Sequence, residues 1–329
     1  MKLTWIKILI TAIAVFAVLG CSGENNDTPT TIQAPSITPA GGAYSQIFRI
    51  TLTTANAGDE IRYTLDNTAP TLTSTKYIMP IPVADDGANV TIRAITVRNG
   101  SQTSTPSTAS WTLQYAYNLA SQSISAGASL TEGVIVTRYN GTIDWASVKA
   151  NGIAFAFIRA AAGTTIDANF TTNWSAAKTA GVLRAPLQYF DPTQDPVAQA
   201  NTFLAEFAVT SGDLPPVIYI DVTDASLTAA QYAGKIAQWI ARVEEVTGLV
   251  PIVATGPAFW NDSLDGCTAF GNLPLSISHF GVASPLTPNA WTIWKFWHYT
   301  MSGIVGGIPG NVDRVHFNGT VTDLQGLLI

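Results

Sequence analysis

The sequence predicts a multidomain protein in which a small all-β sandwich is followed by an α/β barrel. Three observations lead to that reading. Residues 34–114 alternate apolar and polar side chains with no helical periodicity, the pattern of half-buried strands. Residues 132–329 instead alternate short apolar runs with helical stripes, and that βαβ order implies a parallel sheet with helices outside it. The roughly two hundred residues given to this pattern favour a closed barrel over an open sheet. Residues 115–131, between the two, are rich in small side chains and read as a linker. At 329 residues the chain is long enough for two domains with cores of their own.

The first residues read as an export signal. Lys2 and Lys7 give a positive start, and Ile8 to Leu19 is an apolar run too short to span a membrane comfortably. "VLGC", Val18 to Cys21, resembles a bacterial lipobox. Residues 1–20 are therefore expected to be a lipoprotein signal peptide, with Cys21 the lipidated first residue of the mature chain. The competing reading is an uncleaved anchor with Cys21 an ordinary thiol. Losing two lysines takes the formal net charge from −6 to −6 − 2 = −8. Residues 21–33, "CSGENNDTPTTIQ", are polar and read as a flexible tether. This places the protein at the bacterial cell envelope, held to the membrane through its N-terminal lipid, and Ser22 is compatible with an outer membrane. Cys21 and Cys267 are the only cysteines, so acylation of Cys21 excludes an internal disulfide. Only 12% of residues are charged, about half the usual share. With no basic cluster, nucleic acid is not an expected partner.

In the first domain, "FRITLTT" (Phe48 to Thr54), "EIRYTLD" (Glu60 to Asp66) and "NVTIRAITV" (Asn89 to Val97) are the strands, punctuated by "PAGG" and "NAGD". Strands at this spacing suggest a sandwich. "PSITPAGGAYS", "IRYTLDNTAPTLTSTKY" and "IRAITVRNG" resemble the C-terminal β-domain of chitobiase and β-hexosaminidases. The resemblance implies a spacer or glycan-contacting role rather than catalysis.

In the second domain, "GVIV" (Gly133 to Val136) is a short strand, and "IDWASVKANG" is a helix closed by Gly152. "IAFAFI" (Ile153 to Ile158) is apolar throughout, as a strand buried on both faces should be. Further helices follow in "FTTNWSAAKTAG" and "DPVAQANTFLAEF". "PPVIYIDV" is a strand, and "AAQYAGKIAQWIARVEEVTG" puts Tyr232, Ile236, Trp239, Ile240 and Val243 on one stripe. "VPIVAT" is the next strand. The stretches "YNGTIDWASVKANGIAFAFIRA", "GTTIDANFTTNWSAAKTAG", "DPTQDPVAQANTFLA", "TGPAFWN", "HFGVASP" and "GGIPGNVDRVHFNG" closely resemble the lysozymes of glycoside hydrolase family 25. The resemblance runs from Gly133 to Ile329. It implies a modified TIM-like α/β barrel whose last strands lack full helices, and cleavage of the β-1,4 link between N-acetylmuramic acid and N-acetylglucosamine in peptidoglycan.

The expected active positions differ from that family's pattern. Members usually carry Asp-x-Glu where this chain has Tyr219-Ile220-Asp221, and Gly-Ile-Asp where it has Gly133-Val134-Ile135. A usual Thr-Glu-Gly is Ala161-Ala162-Gly163, an aromatic is replaced by Ala254, Leu-Trp by Leu275-Ser276, and Trp-Gln-Tyr by Trp297-His298-Tyr299. Val312-Asp313 is retained. Residues i and i+2 of a strand share a face, so Tyr219 and Asp221 should point together into the barrel mouth. The resemblance makes Asp221 the candidate acid, one methylene shorter than the family's glutamate. In the family a carboxylate is thought to orient the substrate acetamido group, and neither Tyr219 nor Ile135 supplies that charge. Asp191, in "YFDPTQD", and Asp313 are candidates to complete a carboxylate pair. The blander readings are a turn contact for Asp191, a structural hydrogen bond for Asp313 and loop ordering for Asp221. Tyr219, Gln188, Trp297, His298 and Tyr299 are the candidate substrate-binding residues. His279, His298 and His316 show no metal-ligand spacing, and neither metal nor cofactor is expected.

The missing carboxylates and aromatic platform favour an envelope lipoprotein that recognises peptidoglycan or a related glycan, with hydrolysis weak or lost. The alternative is an active muramidase that uses Asp221 as general acid.

Overall fold

The computed structural model describes residues 31–84 and 87–329. The expected signal peptide, Cys21 and most of the tether lie outside the described residues. The N-terminal β-region is built from two sheets. One runs in the order Gly42–Tyr44, Ser107–Leu113, Asn89–Arg98, Glu60–Thr64, Thr75–Lys76, and the other is Ser36–Thr38, Phe48–Thr53, Ile81–Val83. Alternation in Phe48–Thr53 buries Ile50 and Leu52 against Ile61, Ile92 and Trp111. This core is continuous with that of the second domain, and residues 32–329 form one compact unit. The Ile47 amide donates to Ala269 O (2.7 Å), Asn272 Nδ2 donates to Ile47 O (2.6 Å), and Arg49 pairs with the buried Glu244.

The stretch read as a linker is bound to the second domain along its length. Ser121–Ser123 pairs antiparallel with Leu286–Pro288, and the Asn118 amide donates to Gly266 O. Gly266 of the barrel domain permits this approach, since a Cβ there would collide with the Asn118 carbonyl.

Eight strands close into the barrel: β1 (Leu130–Val136), β2 (Phe155–Ala162), β3 (Leu183–Tyr189), β4 (Val217–Ile220), β5 (Ile252–Thr255), β6 (Leu275–Ser278), β7 (Phe296–Gly303) and β8 (Val312–Asn318). Their order is β1-β8-β7-β6-β5-β4-β3-β2, and parallel pairing of β1 with β2 completes the ring. β8 alone of these runs antiparallel to both neighbours. Helices α1 (Trp145–Ala150), α2 (Phe170–Thr179), α3 (Pro196–Ala205), α4 (Ala229–Thr247) and α5 (Pro257–Leu264) cover the connections from β1 to β6, and α6 (Val321–Gln325) follows β8. No helix covers β6 to β7 or β7 to β8.

Local chemistry accounts for the helix ends. Asp144 caps α1 through the Ala146 and Ser147 amides, Asp195 caps α3 ahead of Pro196, and Thr228 and Gln231 form a capping box on α4. Gly248 ends α4 in the left-handed conformation at φ 69°. The α4 stripe Tyr232, Ile236, Trp239, Ile240 and Val243 is buried against the barrel wall, as its period requires.

Inside the barrel the lower layer is apolar. Phe155, Phe157, Phe296 and Phe317 pack with ring centroids 5.0–5.6 Å apart. Gly133 makes room for them, because a Cβ there would overlap the Phe155 ring. The upper layer is polar.

Candidate active site

The mouth is formed by the C-terminal ends of the parallel strands and, because β8 is reversed, by the start of β8. Inward-pointing positions bring Arg159 from β2, Tyr189 from β3, Tyr219 from β4, Ser278 from β6, His298 from β7 and Asp313 from β8 to this layer. Asp221 follows one residue after the end of β4. Register fixes several neighbours: Tyr189 lies beside Tyr219, Ser278 beside His298, and Ile135 beside Asp313. Asp313 therefore adjoins Ile135, which is buried.

Hydrogen bonds tie part of this layer together. Tyr219 Oη is 2.8 Å from Ser278 Oγ, which is 3.3 Å from His298 Nδ1. His298 is 2% exposed, and its Nε2 has no hydrogen-bond partner; the Asp313 carboxylate lies 3.6 Å from it, within ion-pair range but too far for a direct hydrogen bond. Burial raises the Asp221 carboxyl above its usual value, although the carboxyl stays open to solvent at the rim, and the nearby His298 pulls it the other way. Burial first, then the charges of Asp313 and Asp221, push the Tyr189 phenol far up. Tyr219 is raised the same way, chiefly by burial, and stays protonated. A carboxyl biased toward its protonated form can donate a proton, while a second carboxylate beside a histidine can stabilise developing positive charge.

Aromatic surface flanks the opening. Tyr139, in the turn Arg138–Asn140 after β1, is 76% exposed. The Arg159 guanidinium lies between the Tyr139 and Tyr189 rings, at 5.3 and 5.1 Å from their centroids, and is fixed by Asp167 at 2.8 Å. Phe280 meets the His298 ring edge-on at 4.8 Å and is partly exposed. Arg159, Ser278 and the rings of Tyr139 and Phe280 were not singled out in the sequence, where each is a common residue type without a spacing signature.

Four candidates take other places. Trp297 and Tyr299 flank the inward His298, so alternation turns them to the outer face of β7. Trp297 Nε1 donates to His279 O (2.7 Å), and Tyr299 Oη donates to Glu132. Gln188 is fully buried on the outer side of β3, where Nε2 donates to the Gly163 and Tyr189 carbonyls. Asp191 is occupied by its own turn, accepting from Thr193 N and Oγ1 and from Gln194 Nε2. None of the four lines the mouth with Asp221 and Asp313. Among the described residues, no group of three or more His, Cys, Asp or Glu side chains could hold a metal ion, and no helix is long and apolar enough to cross a membrane.

Comparison with known proteins agrees with this fold. Residues 134–308 match the model of glycosyl hydrolases family 25, and residues 39–109 match the chitobiase/beta-hexosaminidase C-terminal domain. The chain is 35% identical over 202 residues to the protein YegX of Escherichia coli O6:H1, covering 60% of this chain and 72% of that protein. It is 32% identical over 217 residues to Lysozyme M1 of Streptomyces globisporus, covering 61% and 72%. The crystal structure of a bacterial lysozyme from Streptomyces coelicolor superposes with a TM-score of 0.58 at 31% identity, covering 61% of this chain and 97% of that one.

Proposed function

Since the chain belongs to glycosyl hydrolases family 25, we propose that it hydrolyses β-1,4 glycosidic bonds of peptidoglycan or a closely related glycan at this mouth, with Asp221 as the proton donor. The observation that carries the reading is the placing of two carboxyls at one mouth: Asp221, immediately after β4, and Asp313, at 3.6 Å from the His298 imidazole. Glycoside cleavage needs those two roles, an acid for the leaving oxygen and negative charge for the oxocarbenium-like centre. Asp191, turned into its own loop, has neither. Tyr139 and Phe280 provide apolar rims on which sugar rings stack, in place of the aromatic lost at Ala254.

Recognition with hydrolysis weak or lost is the second reading. It is favoured by Ile135 and Tyr219, which stand where the family pattern has carboxylates. Under either reading we propose that the N-terminal β-region acts as a spacer or glycan contact, and that lipidation at Cys21 holds the protein at the cell envelope.

Digestion of purified peptidoglycan, with products identified by mass spectrometry, separates the two. New reducing ends from the wild type, reduced ~10²–10⁴-fold by Asp221→Asn, support hydrolysis by this acid. Equal release by both proteins overturns the assignment of Asp221. No release from acetylated or deacetylated strands leaves recognition as the function.

A further inference from the structure

We infer that Tyr219, Ser278, His298 and Asp313 form one proton-carrying chain whose substrate-facing end, the Tyr219 hydroxyl, replaces the acetamido-orienting carboxylate missing from β4. The inference rests on the hydrolase reading above. Its basis is connectivity: four residues from four strands follow one another at 2.8, 3.3 and 3.6 Å. Two of them, Tyr219 and His298, are departures from the family pattern, and Ser278 joins them. A departure that stands alone leaves a hole in a site, whereas these two are linked and end on the retained carboxylate.

The donors order themselves in one direction. A carboxylate only accepts, so an Nε2–H of His298 turns toward Asp313 and leaves Nδ1 as the acceptor for Ser278. Ser278 then donates to Nδ1 and accepts from Tyr219 Oη. Tyr219, having given its proton to that bond, keeps a lone pair for a substrate N–H. Burial keeps the phenol neutral, so it relays a proton and does not hold a charge of its own. The 3.6 Å gap at Asp313 is about half an ångström longer than a hydrogen bond, and catalytic hydrogen bonds commonly shorten when substrate is bound.

The step balances. As the bond from the anomeric carbon to the leaving oxygen breaks, Asp221 protonates that oxygen. The acetamido carbonyl oxygen bonds to the anomeric carbon and closes a five-membered ring. The acetamido N–H passes its proton to Tyr219 Oη, Tyr219 passes its own to Ser278 Oγ, and Ser278 passes its own to His298 Nδ1. The ring intermediate is left neutral and the imidazolium is paired with Asp313. Water then opens the ring, one of its protons going to Asp221, while the chain runs backwards and returns the N–H. Tyr219 is a catalytic residue in this scheme; Ser278 and His298 are positioning residues. The scheme also fixes the substrate class, since the sugar on the cleaved side must carry an N-acetyl group.

The test compares wild type, Ser278→Ala, Ser278→Thr and Asp221→Asn on N-acetylated and N-deacetylated peptidoglycan strands. Ser278→Ala should lower kcat ~10²-fold with KM within about twofold, Ser278→Thr should restore most of it, and deacetylated strands should resist the wild type. Rates in mixtures of light and heavy water should show more than one proton in flight for wild type and one for Ser278→Ala. Wild-type kcat in Ser278→Ala, alongside an inactive Asp221→Asn, overturns the chain and leaves the hydrolase reading standing. No turnover by the wild type overturns both. The ¹⁵N NMR signals of His298 provide a check that needs no turnover. A proton on Nε2 with a bare Nδ1 is the expected tautomer, and a proton on Nδ1 reverses the donors and overturns the chain.

Discussion

β7 and β8 carry polar side chains on both of their faces, with Glu132 of β1 joining the outer set, and the two sets are finished differently. On the outer face Glu132 accepts from Tyr299 Oη (3.1 and 3.2 Å), Arg314 Nη2 (2.9 Å) and His316 Nε2 (2.6 Å), while the Tyr299 and His316 rings stack at 4.0 Å. On the inner face Asp313 has His298 at 3.6 Å and a side chain 28% exposed, and His298 Nε2 is buried with no hydrogen bond. A carboxylate and a histidine appear in both sets. On the outer face the carboxylate is filled by three donors, although His316 Nδ1 and Arg314 Nε are buried there without hydrogen-bond partners among the described residues, and the network binds three strands across a wall that no helix covers. Where acceptors stay open, the same residue types retain capacity for a ligand. Saturation of the carboxylate, more than residue type, separates the strut from the site.

That contrast breaks most visibly in kinetics. Asp313→Asn should reduce kcat/KM on peptidoglycan ~10²-fold while the melting temperature moves by no more than about two degrees. Glu132→Ala should do the reverse. It leaves Arg314 and His316 without their acceptor and should cost roughly 2–3 kcal/mol, a fall of about 5–10 °C in calorimetry, with kcat/KM within twofold. If both variants lose activity and stability together, the distinction between the faces is wrong.

A third measurement sharpens the comparison through pH. Burial alone would raise the Glu132 carboxyl, but the His316 hydrogen bond and charge, Arg314 and Tyr299 together hold it below its usual value. Its contribution is therefore present above the unfolded carboxylate value and lost as pH falls through the lower folded one. Asp221 has the opposite sign: its folded value is raised, so stability is fullest while it is protonated and declines as pH rises through that value. Glu132→Gln should thus be most destabilised near neutrality and approach wild type in acid. Asp221→Asn should raise the melting temperature by about one or two degrees near pH 7 and converge with wild type below about pH 4. The smallest expected effect is at the rim. Tyr139→Ala removes an exposed ring and should raise KM about fivefold, on the order of 1 kcal/mol, with kcat little changed.

Much of the architecture was legible in the residues. The α4 stripe, the both-faces-buried β2 and the change from alternation to βαβ order each follow from side-chain period. The shared face of Tyr219 and Asp221 came from the same rule. Applied consistently, that rule also separates Trp297 and Tyr299 from His298, because three successive residues of a strand cannot enter one space. Asp191 precedes Pro192 in "DPTQD", a turn sequence whose aspartate is used locally. Gln188 was silent for a different reason: a glutamine on a buried strand has no pattern that distinguishes a lock on a loop from a ligand contact. Ser278 could not have been found by pattern either. In a chain rich in Ser and Thr, a single hydroxyl gains meaning only when folding sets Tyr219 on one side of it and His298 on the other.

The reversed β8 has one more consequence, for how the molecule is made. The seam pairs Leu130 with Asn318 and Ile135 with Asp313, so the ring of strands cannot shut until the chain has been made through residue 318. Until then the sheet is an open ribbon with two unsatisfied edges, the kind of surface on which other chains assemble into aggregates. Closure waits on this long-range pairing, which should slow folding, and a truncation that ends before residue 312 should yield insoluble material in place of a smaller barrel.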